Sequence, residues 1–281
     1  LFNATIGGYG LTGSIINIEL LKSDIGLSKT YETFIGTGFG IDNLLDSYQF
    51  RDKEFWIGWI DLQNKKFPWV TKRSAPTKKV IENITPKRQL EVKTSFSFIG
   101  KNAFKSLNLI NKIYFQANKF SNTKEISFYN TFFPLGFLSD TRNISKNRKI
   151  IQVQFSIPYY NSHLLEPLLE KLISNQTPML CSIKRLSNQA PVNNLSFYQD
   201  GWTVAVDFSY NEFNKLYIKH FYKELIKCGG KIYLAKDSTL DEKNFKSMYP
   251  EFTEWEKVVK SIDPKNLYQS QLSKRLGLKK W

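Results

Sequence analysis

Between Lys149 and Ile157 an apolar side chain falls on every second residue: Ile151, Val153, Phe155 and Ile157 alternate with Gln152, Gln154 and Ser156. Alternation at period two puts the apolar set on one face of a strand and the two glutamine amides on the other. The period then changes. From Ser162 to Ser174, Leu164, Leu165, Leu168, Leu169, Leu172 and Ile173 line one side of a helix whose regular part starts late because of Pro167. Met179 to Leu186 and Trp202 to Phe208 return to strand, the latter with Trp202, Val204, Val206 and Phe208 on one face and Thr203, Ala205 and Asp207 on the other. Phe213, Leu216, Tyr217, Phe221 and Leu225 mark a second helix, closed by Gly229-Gly230 as a left-handed cap requires, and Lys231 to Ala235 reads as the final strand. The order β-α-β-β-α-β predicts an α+β fold of the split, ferredoxin-like kind, an antiparallel sheet with both helices on one face.

Outside this block the pattern is less regular. Ile41 to Phe50 suggests a helix, Phe55 to Leu62 a strand carrying Trp56 and Trp59, and Glu251 to Ser261 a helix that ends in an Asp263-Pro264 turn. Ile16, Ile18 and Leu20 alternate with Asn17 and Glu19, which predicts a half-buried strand. Asn64 to Lys124 shows no clear period, and Phe96, Phe98, Phe104, Leu107, Ile110, Tyr114 and Phe115 read there as core anchors between basic loops. With 281 residues, 41% hydrophobic and 15% aromatic, the chain is globular and long enough for one large or two ordinary domains.

The net charge of +15 arises from 40 Lys and Arg against 25 acidic residues and gathers at Lys65-Lys66, Lys72-Arg73, Lys78-Lys79, Lys87-Arg88 and the tail from Lys274 to Lys280. Such a surface suits a polyanion, an anionic lipid or a phosphorylated substrate, or is simply solvated. The basic clusters carry no helix-turn-helix, finger or RNA-binding signature, so nucleic acid is not expected as a partner. Cys181 and Cys228 are too few for a disulfide framework and read as small buried residues. His163 and His220 lack neighbours at ligand spacing, which leaves no support for a zinc site or a Ser/His/Asp triad. Chemistry on this chain therefore calls for an organic cofactor that brings the reactive group itself.

Gly8-x-Gly10-x-x-Gly13 matches the letters of a dinucleotide fingerprint, but the alternation that follows is that of a strand, and the fingerprint works only when a helix follows. A loop that lets backbone approach a cofactor and a plain tight turn both remain open. Position 1 is Leu and the first Met is Met179, so the sequence is expected to be the later part of a longer chain, with its targeting not legible.

The motifs at the two ends agree. Gly229-Gly230-Lys231-Ile232-Tyr233-Leu234-Ala235-Lys236-Asp237-Ser238, then Met248-Tyr249-Pro250, Trp255, Asp263-Pro264 and Leu272-Ser273-Lys274-Arg275-Leu276-Gly277-Leu278, resemble the carboxyl end of the decaprenylphosphoryl-ribose oxidases. These are FAD-linked oxidases of the vanillyl-alcohol-oxidase type, related to the aldonolactone oxidases. Ala4-Thr5-Ile6-Gly7-Gly8-Tyr9-Gly10-Leu11-Thr12-Gly13 resembles the segment that closes their flavin-binding portion. The resemblance implies residues 1–27 as the end of an FAD-binding domain, 28–231 as a substrate domain and 232–281 as a return to the FAD-binding domain.

For the site, the resemblance implies FAD, held by Gly8, Gly10, Thr12, Gly13, Ile15, Tyr233 and Lys236. A strand-borne Lys236 would serve as the catalytic group, and Gln152, Gln154, Lys184, Phe133 and Thr203 would face the substrate. The alternative for Lys236 is a surface lysine paired with Asp237. The implied reaction oxidises a secondary hydroxyl of a sugar or lipid-linked sugar phosphate, with a partner reductase for the keto product and a cytoplasmic or peripheral membrane location. Three positions depart from the pattern. Gly136 follows Phe133-Pro134-Leu135 where an acid is expected, and Ala205 stands where the mycobacterial-type oxidases carry Cys. Tyr233 stands where aldonolactone oxidases carry His, which favours the lipid-linked pentose branch. An aldonolactone oxidase, and a basic module that binds nucleic acid or an anionic surface, are the other readings.

Overall fold

The structure, a computed structural model, describes residues 1–19, 30–48, 55–77, 103–120, 123–132, 149–186 and 193–281. In chain order the elements are α1 (Phe2–Thr5), β1 (Thr30–Phe39), α2 (Ile41–Asp46), β2 (Phe55–Ile60), β3 (Pro68–Pro76), α3 (Ala103–Lys119), β4 (Thr123–Ser127), α4 (Phe128–Phe132) and β5 (Ile150–Pro158). A 3-10 stretch (Tyr159–Leu164) leads into α5 (Leu165–Ile173), β6 (Pro178–Leu186), β7 (Gly201–Ser209), α6 (Glu212–Lys227) and β8 (Lys231–Ile232). A 3-10 turn (Leu234–Lys236) precedes α7 (Glu242–Met248), α8 (Phe252–Ile262) and α9 (Gln271–Leu276). They divide into two units, the first of Leu1–Leu21, Ile151–Gln176 and Arg185–Trp281, the second of Lys22–Ile150 and Thr177–Lys184.

In the first unit β5 lies between β7 and β8, and Phe155 pairs antiparallel with Ile232. Ile151, Val153, Phe155 and Ile157 share a buried face with Trp202, Val204, Val206 and Phe208. Onto that face α6 brings Phe221, whose ring lies 5.2 Å from that of Phe155, and α5 packs beside α6 with Leu165, Leu168, Leu169 and Leu172 buried. Each such side chain contributes roughly 1.5–3 kcal/mol by leaving water. The element order and the shared helix face are those the periodicities predict. Gly229, at φ +67, closes α6 as the cap argument requires, and the Gly230 N–H donates to Leu225 O at 2.9 Å.

The two ends of the chain meet within this unit. The Trp255 indole donates to Ala4 O at 3.0 Å, and Lys279, fully buried, donates to Leu11 O at 3.3 Å and Tyr268 O at 2.8 Å while pairing with Asp263.

The second unit is a sheet in the order β4-β1-β3-β2-β6, each neighbouring pair antiparallel. Tyr31 anchors it among Phe55, Phe128 and Phe132, with Phe132 at 5.4 Å and edge-on.

Four expectations are corrected. The final strand ends at Ile232, because Asp237 accepts from the N–H groups of Thr239 and Leu240 at 2.9 Å and bends the chain through the 3-10 turn. Ser14 to Glu19 forms no strand, and Ile16 is 99% exposed, since alternation makes a face but a strand still needs a neighbour to hydrogen-bond. The helix from Ile41 ends at Asp46. Lys72 and Arg73 lie on β3 instead of a basic loop; Pro68 to Thr71 are buried in succession, which erases the alternation that would have marked them. Phe133, Phe96, Phe98, Leu20 and the Lys78-Lys79 and Lys87-Arg88 clusters lie outside the described residues.

Candidate functional site

The polar face of β5 is organised by its neighbours. The Gln152 amide donates to Asp207 Oδ1 at 2.6 Å and the Gln154 amide to Thr203 Oγ1 at 3.1 Å, so the two rungs run in opposite senses along β5 and β7. Ser156 extends the row, accepting from the Gln199 amide at 2.9 Å. Gln154 Oε1 is buried and accepts no hydrogen bond among the described residues. A buried acceptor without a donor is costly, and a water or a ligand donor would satisfy it.

Tyr233 continues this face across β8. Its N–H donates to Gln154 O at 2.8 Å and its ring lies 4.9 Å from that of Phe197. Three residues on, Lys236 projects from the 3-10 turn, exposed, and its charge bears on Asp207. Burial raises the Asp207 carboxyl above its ordinary value; the Gln152 hydrogen bond and then Lys236 pull it back. Asp237 pairs with Arg275 at 2.6 Å, with its side chain 1% exposed, so the adjacent acid is committed to the turn and Lys236 is not its partner.

The glycine-rich segment comes near the same turn. Tyr9 has its hydroxyl pushed up by burial and then by the proximity of Tyr233 and Asp237. Gly8 has a local reason to be glycine, since a Cβ there would meet Ala4 O at 2.2 Å. Gly10 and Gly13 hold positive φ of +74 and +127 with open space where a side chain would stand. Thr12 is half-buried and Ile15 is 61% exposed.

Among the expected site residues, Gln152, Gln154, Thr203, Tyr233 and Lys236 are thus brought together, with Gly8, Gly10, Thr12 and Gly13 in the segment that carries Tyr9. Lys184 is exposed on β6 in the second unit, and Phe133 lies outside the described residues. Asp207 and Tyr9 were not anticipated. Asp207 was readable as the one acid in an otherwise apolar and small strand, on the same parity as Thr203; Tyr9 had no sequence signal beyond its glycine neighbours. Cys181 and Cys228 are free and buried.

The residues present fit a flavin. An unpartnered Gln154 oxygen, an exposed ammonium at Lys236 and a glycine segment with open space along it are the features a flat, polar-edged cofactor and its substrate would use.

The fold is mixed helix and antiparallel sheet. A xylooligosaccharide oxidase from Myceliophthora thermophila C1, solved with xylobiose, shares this fold with a TM-score of 0.53 at 8% identity, over 87% of this chain and 55% of that one. Residues 192–276 match the D-arabinono-1,4-lactone oxidase family. More particularly, the chain is similar to the decaprenylphosphoryl-beta-D-ribose oxidase of Mycolicibacterium smegmatis, 25% identical across 99% of this chain and 63% of that protein. The resemblance drawn from the terminal motifs is therefore borne out along the whole chain, which spans less than two thirds of the length of that relative.

Proposed function

We propose that the protein carrying this chain is an FAD-dependent oxidoreductase that oxidises a secondary hydroxyl of a sugar, the ribose 2-hydroxyl of a polyprenylphosphoryl pentose being the first candidate. The observation that carries the reading is the row Gln152, Gln154, Thr203 and Tyr233 facing the turn that bears Lys236, in a chain similar over 99% of its length to a ribose oxidase. Gly8, Gly10, Thr12, Gly13, Ile15, Tyr233 and Lys236 would hold the FAD, which supplies the hydride-accepting centre when bound. The terminal segments 1–27 and 232–281 would belong with its domain, a grouping supported by the bonds from Trp255 to Ala4 and from Lys279 to Leu11.

In this reading Thr203 fixes the Gln154 amide so that Oε1 accepts from a sugar hydroxyl, and Asp207 fixes Gln152 in the same way. Lys236 stabilises negative charge on the reacting oxygen as its proton passes to solvent water. Asp207 keeps that ammonium oriented and balances its charge. A partner reductase would consume the keto product.

The family match over residues 192–276 favours one second reading, oxidation of an aldonolactone. Tyr233 in place of the histidine of that branch weighs against it. Anaerobic mixing of the FAD-loaded protein with polyprenylphosphoryl ribose and, separately, with D-arabinono-1,4-lactone decides: flavin bleaching by the lipid-linked ribose alone is expected, bleaching by the lactone alone promotes the second reading, and no flavin binding at all removes both.

A further inference from the structure

Helix α3 is already anchored on one side. Asn111, buried, donates to Asp61 Oδ1 at 2.9 Å; the Phe115 ring lies 5.2 Å from that of Phe39, and Tyr114 lies 5.0 Å from Trp59. The core of the second unit thus takes what it needs from positions 111, 114 and 115. The opposite side should then be polar. Instead Leu109 and Ile113 are each 59% exposed, Ile110 is 40% exposed, and Phe120, just past the helix end, is 83% exposed. At a rotation of about 100° per residue, Leu109, Ile113 and Phe120 form one outward stripe with Ile110 beside it.

The charge along this helix has one sign. From Ala103 to Lys119 there is no Asp or Glu, and Lys105, Lys112 and Lys119 recur every seven residues, which places them on one line of the helix. Lys112 and Lys119 are exposed and border the apolar stripe. Among the described residues no helix is long and apolar enough to cross a membrane, so a lipid contact by α3 would lie in the interface plane.

We propose that the outer face of α3 docks on an anionic lipid surface, with Leu109, Ile113 and Phe120 entering the headgroup boundary and Lys112 and Lys119 meeting the lipid phosphates. Charge complementarity selects this occupant: Lys112 already bears on Asp61, but a neutral partner would still leave the exposed Lys119 and the outward side of the lysine row unmatched, and a soluble polyanion would gain nothing from the apolar stripe. The inference does not rest on the proposed reaction, and its test needs no flavin.

Co-sedimentation of the purified protein with phosphatidylglycerol–phosphatidylcholine vesicles and with pure phosphatidylcholine vesicles reads it directly. Binding to the anionic vesicles that weakens with salt is expected. Leu109→Glu/Ile113→Glu and, separately, Lys112→Ala/Lys119→Ala should each weaken it at least about tenfold, with circular dichroism unchanged because these positions are exposed, and with the melting temperature lowered only in the lysine variant, where Asp61 loses the charge of Lys112. Wild-type binding by either double variant overturns the proposal. So does preference for neutral vesicles, tighter binding to RNA than to vesicles, or a fall in molecular mass in the apolar variant, which would make the face a contact between two copies of the chain.

Discussion

Gln152 donates its amide to Asp207 at 2.6 Å across β5 and β7, so an acid on the polar face of the sheet is held by a neutral partner. Burial raises the Asp207 carboxyl above 3.8, opposed by that bond and by Lys236. A raised folded value means that the folded state holds the proton more tightly than the unfolded chain, so ionisation works against folding as pH climbs from 3.8 through the folded value. Asp207→Asn keeps an acceptor for Gln152 and removes the ionisation. It should melt at or above the wild-type temperature near neutral pH, with the difference closing below 3.8. A lower melting temperature near neutral pH would mean that attraction to Lys236 outweighs burial.

The two faces of β5 give a paired prediction. Val153 is 3% exposed among the apolar set, so Val153→Asp buries a charge without a partner and should cost on the order of 3 kcal/mol or more. Gln154→Ala removes one bond to Thr203 and one unpartnered oxygen together, for a net change of about 1 kcal/mol or less. Denaturant unfolding compares them, and in Gln154→Ala substrate-dependent flavin reduction should fall while the fold is kept. Equal destabilisation would contradict the register.

The parts of the fold legible in the sequence are those whose burial is one-sided. β5 and β7 announce themselves because one face meets helices and the other carries Gln152, Gln154, Thr203 and Asp207. β3 does not, since Pro68 to Thr71 are buried consecutively and no period survives. The Ser14 to Glu19 alternation misleads for the opposite reason, an alternating face without a paired neighbour among the described residues. For the site, the terminal motifs led to Lys236 and Tyr233. Only the structure could set aside the alternative Lys236–Asp237 pair in favour of Arg275–Asp237, because Arg275 arrives from 38 residues away.

Lys279 and Asp263 form a buried pair, and Lys279 also donates to Leu11 O where the two ends of the chain meet. Burial works to raise the Asp263 carboxyl, but the bonds from Lys279 and from the N–H groups of Leu267 and Tyr268 outweigh it and hold it down to about 2. A depressed value gives stability that is present above 3.8 and is lost as pH falls towards 2. Lys279→Met should therefore lose stability at neutral pH and shift acid unfolding to higher pH, whereas Lys279→Met/Asp263→Asn should recover part of both, because no lone charge stays buried. Melts across the acid range check it; a double variant no better than the single would show that the bond to Leu11 O, not the ion pair, is what matters.

Lys236 carries the sharpest expectation for the reaction. It is exposed, Asp237 is engaged by Arg275, and its influence falls on Asp207, so removing it should leave the core untouched. Lys236→Ala is expected to keep the fold and most of the bound flavin, and to slow substrate-dependent flavin reduction at least about tenfold, equivalent to roughly 1.4 kcal/mol in the transition state. Lys236→Arg should not restore the rate, because a planar guanidinium cannot take the place of a compact ammonium against one reacting oxygen. Anaerobic stopped-flow reduction with polyprenylphosphoryl ribose measures both variants. If Lys236→Ala reduces at the wild-type rate, charge stabilisation at that oxygen must come from another group, and the row of Gln152, Gln154 and Thr203 would retain a binding role alone.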